Sequence, residues 1–145
     1  MKRIIQKQLG DLLVDSKLIT RDNLEEALKI QQEKGGLLGQ VLVSLGFTTE
    51  EAIAQALTAQ YGFPYLPLGG YEIEPEVAKI IPEHVAKQYD LIAVERVGDI
   101  LTVAMSNPLN TQAVEDVEML THFKVQVFVT TSTDVTHAIK NNYKL

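Results

Sequence analysis

The 145-residue chain has no cysteine. A disulfide framework, a thiolate nucleophile and a cysteine-ligated zinc site are therefore excluded. It has no Gly–Lys dipeptide, so a phosphate-cradling G-x-x-x-x-G-K-[ST] loop is excluded too. G-x-G-x-x-G and G-x-S-x-G are also missing. No apolar run approaches the roughly 18–20 residues of a membrane span. The opening MKRIIQKQLGDLL is basic at its start, but polar and charged residues break up the apolar ones after it, unlike a secretory signal. Thirteen cations stand against nineteen anions, a net charge of −6, so the basic footprint of a DNA- or RNA-binding protein is lacking. The three histidines, His84, His122 and His137, are isolated from one another and read as helix-surface or helix-end residues.

What is present suffices for a core. The chain is 46% hydrophobic and 22% charged, which argues against disorder and for one compact domain or two small subdomains sharing a core. The expectation is a soluble cytoplasmic protein with no direct membrane insertion. The negative charge is uneven: residues 1–34 hold seven cations and six anions, and residues 71–145 hold six cations and eleven anions. The acidity belongs mainly to the second half and does not bar a small dianion from the first.

Residues 1–61 carry helical periodicity. Leu9, Leu12 and Leu13 begin a short stripe; Thr20 caps a second helix bearing Leu24, Ala27, Leu28 and Gln31, which Gly35–Gly36 stop. Leu38, Val41, Leu42 and Leu45 repeat the short stripe up to Gly46. Thr48 and Glu51 have the spacing of a capping box, and Ile53, Ala56, Leu57 and Gln60 come next. Sliding residues 8–31 onto 37–60, an offset of 29, aligns Leu9/Leu38, Gly10/Gly39, Leu13/Leu42, Val14/Val43, Thr20/Thr49, Ala27/Ala56, Leu28/Leu57 and Gln31/Gln60. Shared leucine is expected of any helical pair. Shared glycine and glutamine are not demanded by a helical core, so the segment is a duplicated helix–loop–helix unit.

From Pro64 the composition changes. PYLPLGGYEIEPEV is a Pro/Gly-rich connector, and Pro75 and Pro82 each suit a first helical position. Leu91–Val97 and Ile100–Ser106 flank Gly98–Asp99 as a hairpin. Residues 111–121 form a helix, Lys124–Thr130 a third strand and residues 133–143 a last helix. The expected fold is α+β: a helical tandem repeat over 1–63, then a small three-stranded sheet packed with helices over 64–145. Glu72, Glu74, Glu76, Glu115, Asp116 and Glu118 read as solvated helix entrances or wet faces. Nothing supports an enzyme, a cofactor or a metal.

Each repeat offers a Leu-Gly step near a helix start, where unpaired N–H groups favour anions and a missing side chain allows close approach. It also offers an apolar strip with an amide at its end, which suits a flat heteroaromatic base. This pattern resembles the tandem motif of the MshEN domain, the cyclic di-GMP-binding form of the N-terminal domain of type II secretion (GspE-like) and type IV pilus assembly ATPases. QLGDLLVDSKLITRDNLEEALKIQ and LLGQVLVSLGFTTEEAIAQALTAQ match it, five residues apart, and PEHVAKQYDLIAVERVGDILTVAMSNPLN looks like a later stretch of the same ATPases.

The resemblance implies cyclic di-GMP as ligand. Its contacts would come from Gln8, Leu9, Gly10, Leu24, Leu28 and Gln31 in the first repeat and Leu37, Leu38, Gly39, Ile53, Leu57 and Gln60 in the second. The chain departs from the motif where Gln8 and Leu37 replace arginine, Lys17 replaces glycine and Thr48 replaces an aliphatic residue. The alternative implied is a ligand-free docking module for a protein partner in a secretion or pilus inner-membrane assembly. With both family halves counted, 145 residues leave no room for an ATPase core, so the expectation is regulation or docking without catalysis.

Overall fold

A computed structural model describes residues 2–143, with residues 2–8 described by backbone alone. The first half is four helices: α1 (Lys2–Asp15), α2 (Arg21–Lys34), α3 (Leu38–Ser44) and α4 (Glu50–Tyr61). The second half holds α5 (Pro75–Ala78), α6 (Glu83–Tyr89), β1 (Leu91–Val97), β2 (Ile100–Met105), α7 (Thr111–Thr121), β3 (Lys124–Val129) and α8 (Ser132–Asn142).

The repeat is reproduced bond for bond at its turns. Lys17 N–H donates to Val14 O and Leu18 N–H to Leu13 O; 29 residues on, Gly46 donates to Val43 O and Phe47 to Leu42 O. Both turns need a left-handed residue: Gly46 has φ 79° and Lys17 has φ 62°. Glycine adopts this region freely, whereas a residue with a Cβ is strained there, so Lys17 is the costlier copy. Thr20 caps α2, accepting from Asn23 N–H at 3.0 Å, and Thr49 caps α4, accepting from Ala52 N–H at 3.1 Å. The expected cap at Thr48 is thus corrected by one residue, to the position the repeat itself specifies.

The two copies differ at the Leu-Gly step. Leu38 and Gly39 open α3, as expected, but Leu9 and Gly10 lie inside the 14-residue α1. Helix α1 continues N-terminally past its repeat boundary, so the Gly10 amide is not at a free helix start.

β1 and β2 form the antiparallel hairpin, and β3 lies parallel to β2, giving the order β1-β2-β3. Parallel pairing needs a crossover, and α7 supplies it. All four residues from Leu91 to Val94 are buried, while Glu95–Val97 and Ile100 are exposed, so the hairpin tip projects beyond its covering helices. Pro75 opens α5 at its first position, whereas Pro82 is the N-cap of α6, one residue earlier than expected. The connector is not wholly irregular, since Tyr65 bridges Val129 in parallel and Leu66 N–H donates to Val129 O at 2.9 Å.

Two apolar clusters result. One joins the sheet to its helices through Ile81, Leu91, Ile92, Leu101, Met105 and Val117. The other is the repeat core of Leu9, Leu13, Leu24, Leu38, Leu42 and Leu57, and it includes Val129 from the end of β3. The carboxylates on α7 do more than face water: Asp116 accepts from the Tyr89 hydroxyl and Glu118 accepts from Val125 N–H at 2.9 Å. Among the described residues no helix is long and apolar enough to cross a membrane.

Candidate functional site

A cavity of about 800 Å³ opens between the second repeat and the sheet-containing half. Its repeat wall has an apolar floor of Leu9, Leu37, Leu38, Gly39, Val43 and Ile53, edged by the polar Gln40, Ser44 and Glu50. The opposite wall is polar, with Lys87 and Gln88 from α6, Ser106 and Asn107 after β2, Thr130–Thr133 after β3 and His137 on α8. The topology places it there. β2 and β3 run in parallel and release the chain at the same end, and crevices beyond the carboxyl ends of parallel strands are common ligand sites. A concave space with an apolar floor and a few convergent polar groups is the usual form of a small-molecule pocket.

The polar wall is internally bonded. Ser106 Oγ donates to Asp90 Oδ2 at 2.6 Å. Asp90 is 4% exposed. Burial raises its pKa above the ordinary value of 3.8; hydrogen bonds from Ser106 and Ser132 oppose that shift, and nearby Glu50 adds to it. Tyr89 is pushed up to about 12, chiefly because its hydroxyl donates to Asp116. Thr130 Oγ1 is buried without a hydrogen-bond partner. From the repeat side, Gln40 Nε2 donates to Ser132 Oγ at 2.9 Å, and the Glu50 carboxylate accepts from Thr133 N–H and Thr133 Oγ1, both at 2.5 Å.

The structure brings five of the residues named from sequence to this cavity: Leu9, Leu37, Leu38, Gly39 and Ile53. The others lie elsewhere. Leu24 and Leu57 are enclosed in the repeat core, at 2% and 0% exposure, and Leu28 is partly buried against it. Gln31 Nε2 donates to Gly36 O at 2.9 Å, so its amide holds the linker backbone, and Gly36 in turn lines the cavity. Gln60 is exposed on α4. The Gln8 side chain lies outside the described residues.

The two glycines have different neighbours. A Cβ on Gly10 would lie 2.6 Å from Leu24 Cδ1, so that glycine makes room for packing between α1 and α2. A Cβ on Gly39 would meet nothing closer than Ile53 Cδ1 at 3.6 Å, an ordinary contact. Packing does not require glycine there. Sequence reasoning missed Glu50, Asp90, Ser106 and the Thr130–Thr133 wall. The run Thr-Thr-Ser-Thr directly after a strand was the one visible sign of the last of these.

The helical repeat, the small mixed sheet and the cleft between them define a class of two-part domain, a helical half packed on a small α+β half. The MshEN domain family matches residues 61–145, and the chain belongs to that family. That match covers the connector and the sheet-containing half and leaves out the repeats. Similarity to longer proteins extends over both halves. The chain is 35% identical over 136 residues to the type IV pilus assembly ATPase PilB of Myxococcus xanthus, covering 94% of this chain and 24% of that protein. It is 36% identical over 139 residues to PilB of Thermus thermophilus, covering 94% of this chain and 16% of that protein. The chain thus spans a quarter or less of these relatives. It resembles the structure of MshE with cdg (cyclic di-GMP) at a TM-score of 0.68 and 28% identity, over 93% of this chain and 98% of that one. It shares the fold of the N-terminal domain of XpsE at a TM-score of 0.78 and 20% identity, over 97% and 96% of the two chains.

Proposed function

We propose that this chain is a regulatory, non-catalytic module of a pilus or secretion ATPase in the cytoplasm, and that it binds cyclic di-GMP at the second repeat. Gly39 carries the reading. It lines the cavity, and its neighbours would accept a methyl group, so its missing side chain is best accounted for by close approach of something in the cavity. The similarity to MshE with cdg supports cyclic di-GMP as the ligand. Leu37, Leu38 and Ile53 would form the floor under a base, and the Leu38–Gly39 backbone at the start of α3 would face a phosphate. Gln31 acts as a positioning residue through Gly36.

Titration calorimetry with cyclic di-GMP tests this. Gly39→Ala is expected to abolish binding without unfolding the chain, and Gln31→Ala to weaken it. Gln8→Arg with Leu37→Arg, which restores the motif arginines, is expected to tighten binding through cationic stacking worth roughly 0.5–2 kcal/mol per contact. No heat and no thermal shift at about 100 µM ligand, saturating for micromolar affinity, would remove cyclic di-GMP from the proposal. A second reading, a docking module without nucleotide, is favoured by the absence of both motif arginines and by the enclosure of Leu24 and Leu57. That outcome would leave it standing.

A further inference from the structure

The two halves of the molecule meet in two chemically distinct ways. One contact is an apolar seam. Val129, the last residue of β3, is 0% exposed and packs in the repeat core with Leu42 and Leu57, with Tyr65 and Leu66 running beside it. The other contact crosses the cavity and is entirely polar. Glu50 is the first residue of α4, in the repeat half; Thr133 is in the first turn of α8, in the other. The Glu50 carboxylate accepts the Thr133 amide and hydroxyl together, each at 2.5 Å. Beside it, Gln40 donates to Ser132, and Ser132 bonds the buried Asp90 carboxylate, which also accepts from Ser106.

Thr131 already caps α8 with its own hydroxyl, on Asp134 N–H at 3.2 Å. The Thr133 amide is a second donor of that first turn, and its partner comes from the other side of the cleft. The bonds are charge-assisted, but Thr133 is exposed and Glu50 is half-exposed, so water can replace them at little cost. The apolar seam has no such substitute in water. The ionisable groups facing this region are Glu50, Asp90, Asp134, Lys87 and His137, and Lys87 is already paired with Glu83 at 2.9 Å.

We propose that Glu50 is a releasable clasp over the cavity. Closed, it ties α4 to α8 across the cleft; open, it lets the repeat half turn about the Val129 seam. An anionic ligand in the cavity is repelled by the Glu50 carboxylate, so its entry favours the open form. Only the identity of that anion rests on the cyclic di-GMP reading; the clasp does not.

The cysteine-free chain permits site-directed spin labelling at Lys29→Cys on α2 and Glu115→Cys on α7, both exposed and one in each half. The distance distribution in the full chain without ligand is expected to be narrow. Glu50→Ala removes both bonds and is expected to lengthen and broaden it, with the far-ultraviolet spectrum unchanged. Glu50→Gln keeps an acceptor for the amide and a donor for the hydroxyl, and is expected to restore the narrow distribution. An unchanged distribution in Glu50→Ala would overturn the clasp. Cyclic di-GMP added to the Glu50 protein is expected to shift the distribution in the direction of Glu50→Ala. Calorimetric binding without that shift would overturn the coupling. Absence of calorimetric binding would remove the ligand reading alone, because the comparison without ligand still decides the clasp.

Discussion

The pair Gly10→Ala and Gly39→Ala separates a glycine kept for packing from one kept for a ligand. The two residues are equivalent by repeat, both lie in helices, and both carry the same substitution. Alanine in place of glycine in a helix interior is worth about 0.5–1 kcal/mol in favour of folding. At Gly10 that gain is opposed. The new Cβ would lie 2.6 Å from Leu24 Cδ1 and 3.0 Å from Cδ2, well inside contact distance, so Leu24 must shift in a core where it is 2% exposed. Overpacking of this kind costs about 1–3 kcal/mol. The net expectation for Gly10→Ala is a loss of about 0–2 kcal/mol. At Gly39 the nearest atom would be 3.6 Å away, so no overpacking is expected and the variant should be neutral or slightly more stable. The gap between the variants is about 1–3 kcal/mol. At roughly 3–4 °C per kcal/mol for a domain of this size, it is readable in a thermal melt followed by circular dichroism. A Gly10→Ala protein as stable as Gly39→Ala would refute the packing argument. The binding prediction runs the other way, with Gly39→Ala the stable variant that loses ligand.

Two further outcomes rest on single residues. Burial raises the Asp90 pKa above 3.8, so the folded chain holds this proton more tightly than the unfolded chain. The resulting stability is full below the unfolded value and is lost as pH rises through the folded one. Asp90→Asn keeps the shape and suits the left-handed φ of 56°; it should melt above the wild type at neutral pH and converge with it in acid, and a constant offset across that range would contradict the assignment. Thr49→Ala should cost about 1 kcal/mol in urea denaturation through loss of the α4 cap, and Thr48→Ala much less; the reverse order would place the cap where the sequence motif alone puts it.

Local chemistry made much of the fold legible. The offset of 29 forecast two matching helix pairs because the turn residues, caps and apolar spacing act within a few residues of one another. The hairpin around Gly98–Asp99 and the last two helices were visible for the same reason. The errors were also local. Thr48 and Glu51 matched a capping pattern by spacing, but the repeat-equivalent Thr49 won, since it alone directly precedes the helix start. Leu9–Gly10 looked like a helix start because Leu38–Gly39 is one, and the extra N-terminal turns of α1 removed the free amides.

The sequence by itself determined the repeat, the α+β order and the family, because these depend on residue types at short, fixed spacings. Only the tertiary structure decided which of the motif residues reach the cavity. Leu24 and Leu57 obey the same motif as Ile53, yet two are sealed in the core and one lines a cavity. Gly10 and Gly39 share a motif position and differ in what surrounds them. The other wall, Glu50 against Thr133 across 83 residues and Gln40 against Ser132 across 92, depends on how β3 delivers α8 to the second repeat. No periodicity encodes a contact at that separation; it exists because burying Val129 in the repeat core brings the two halves together.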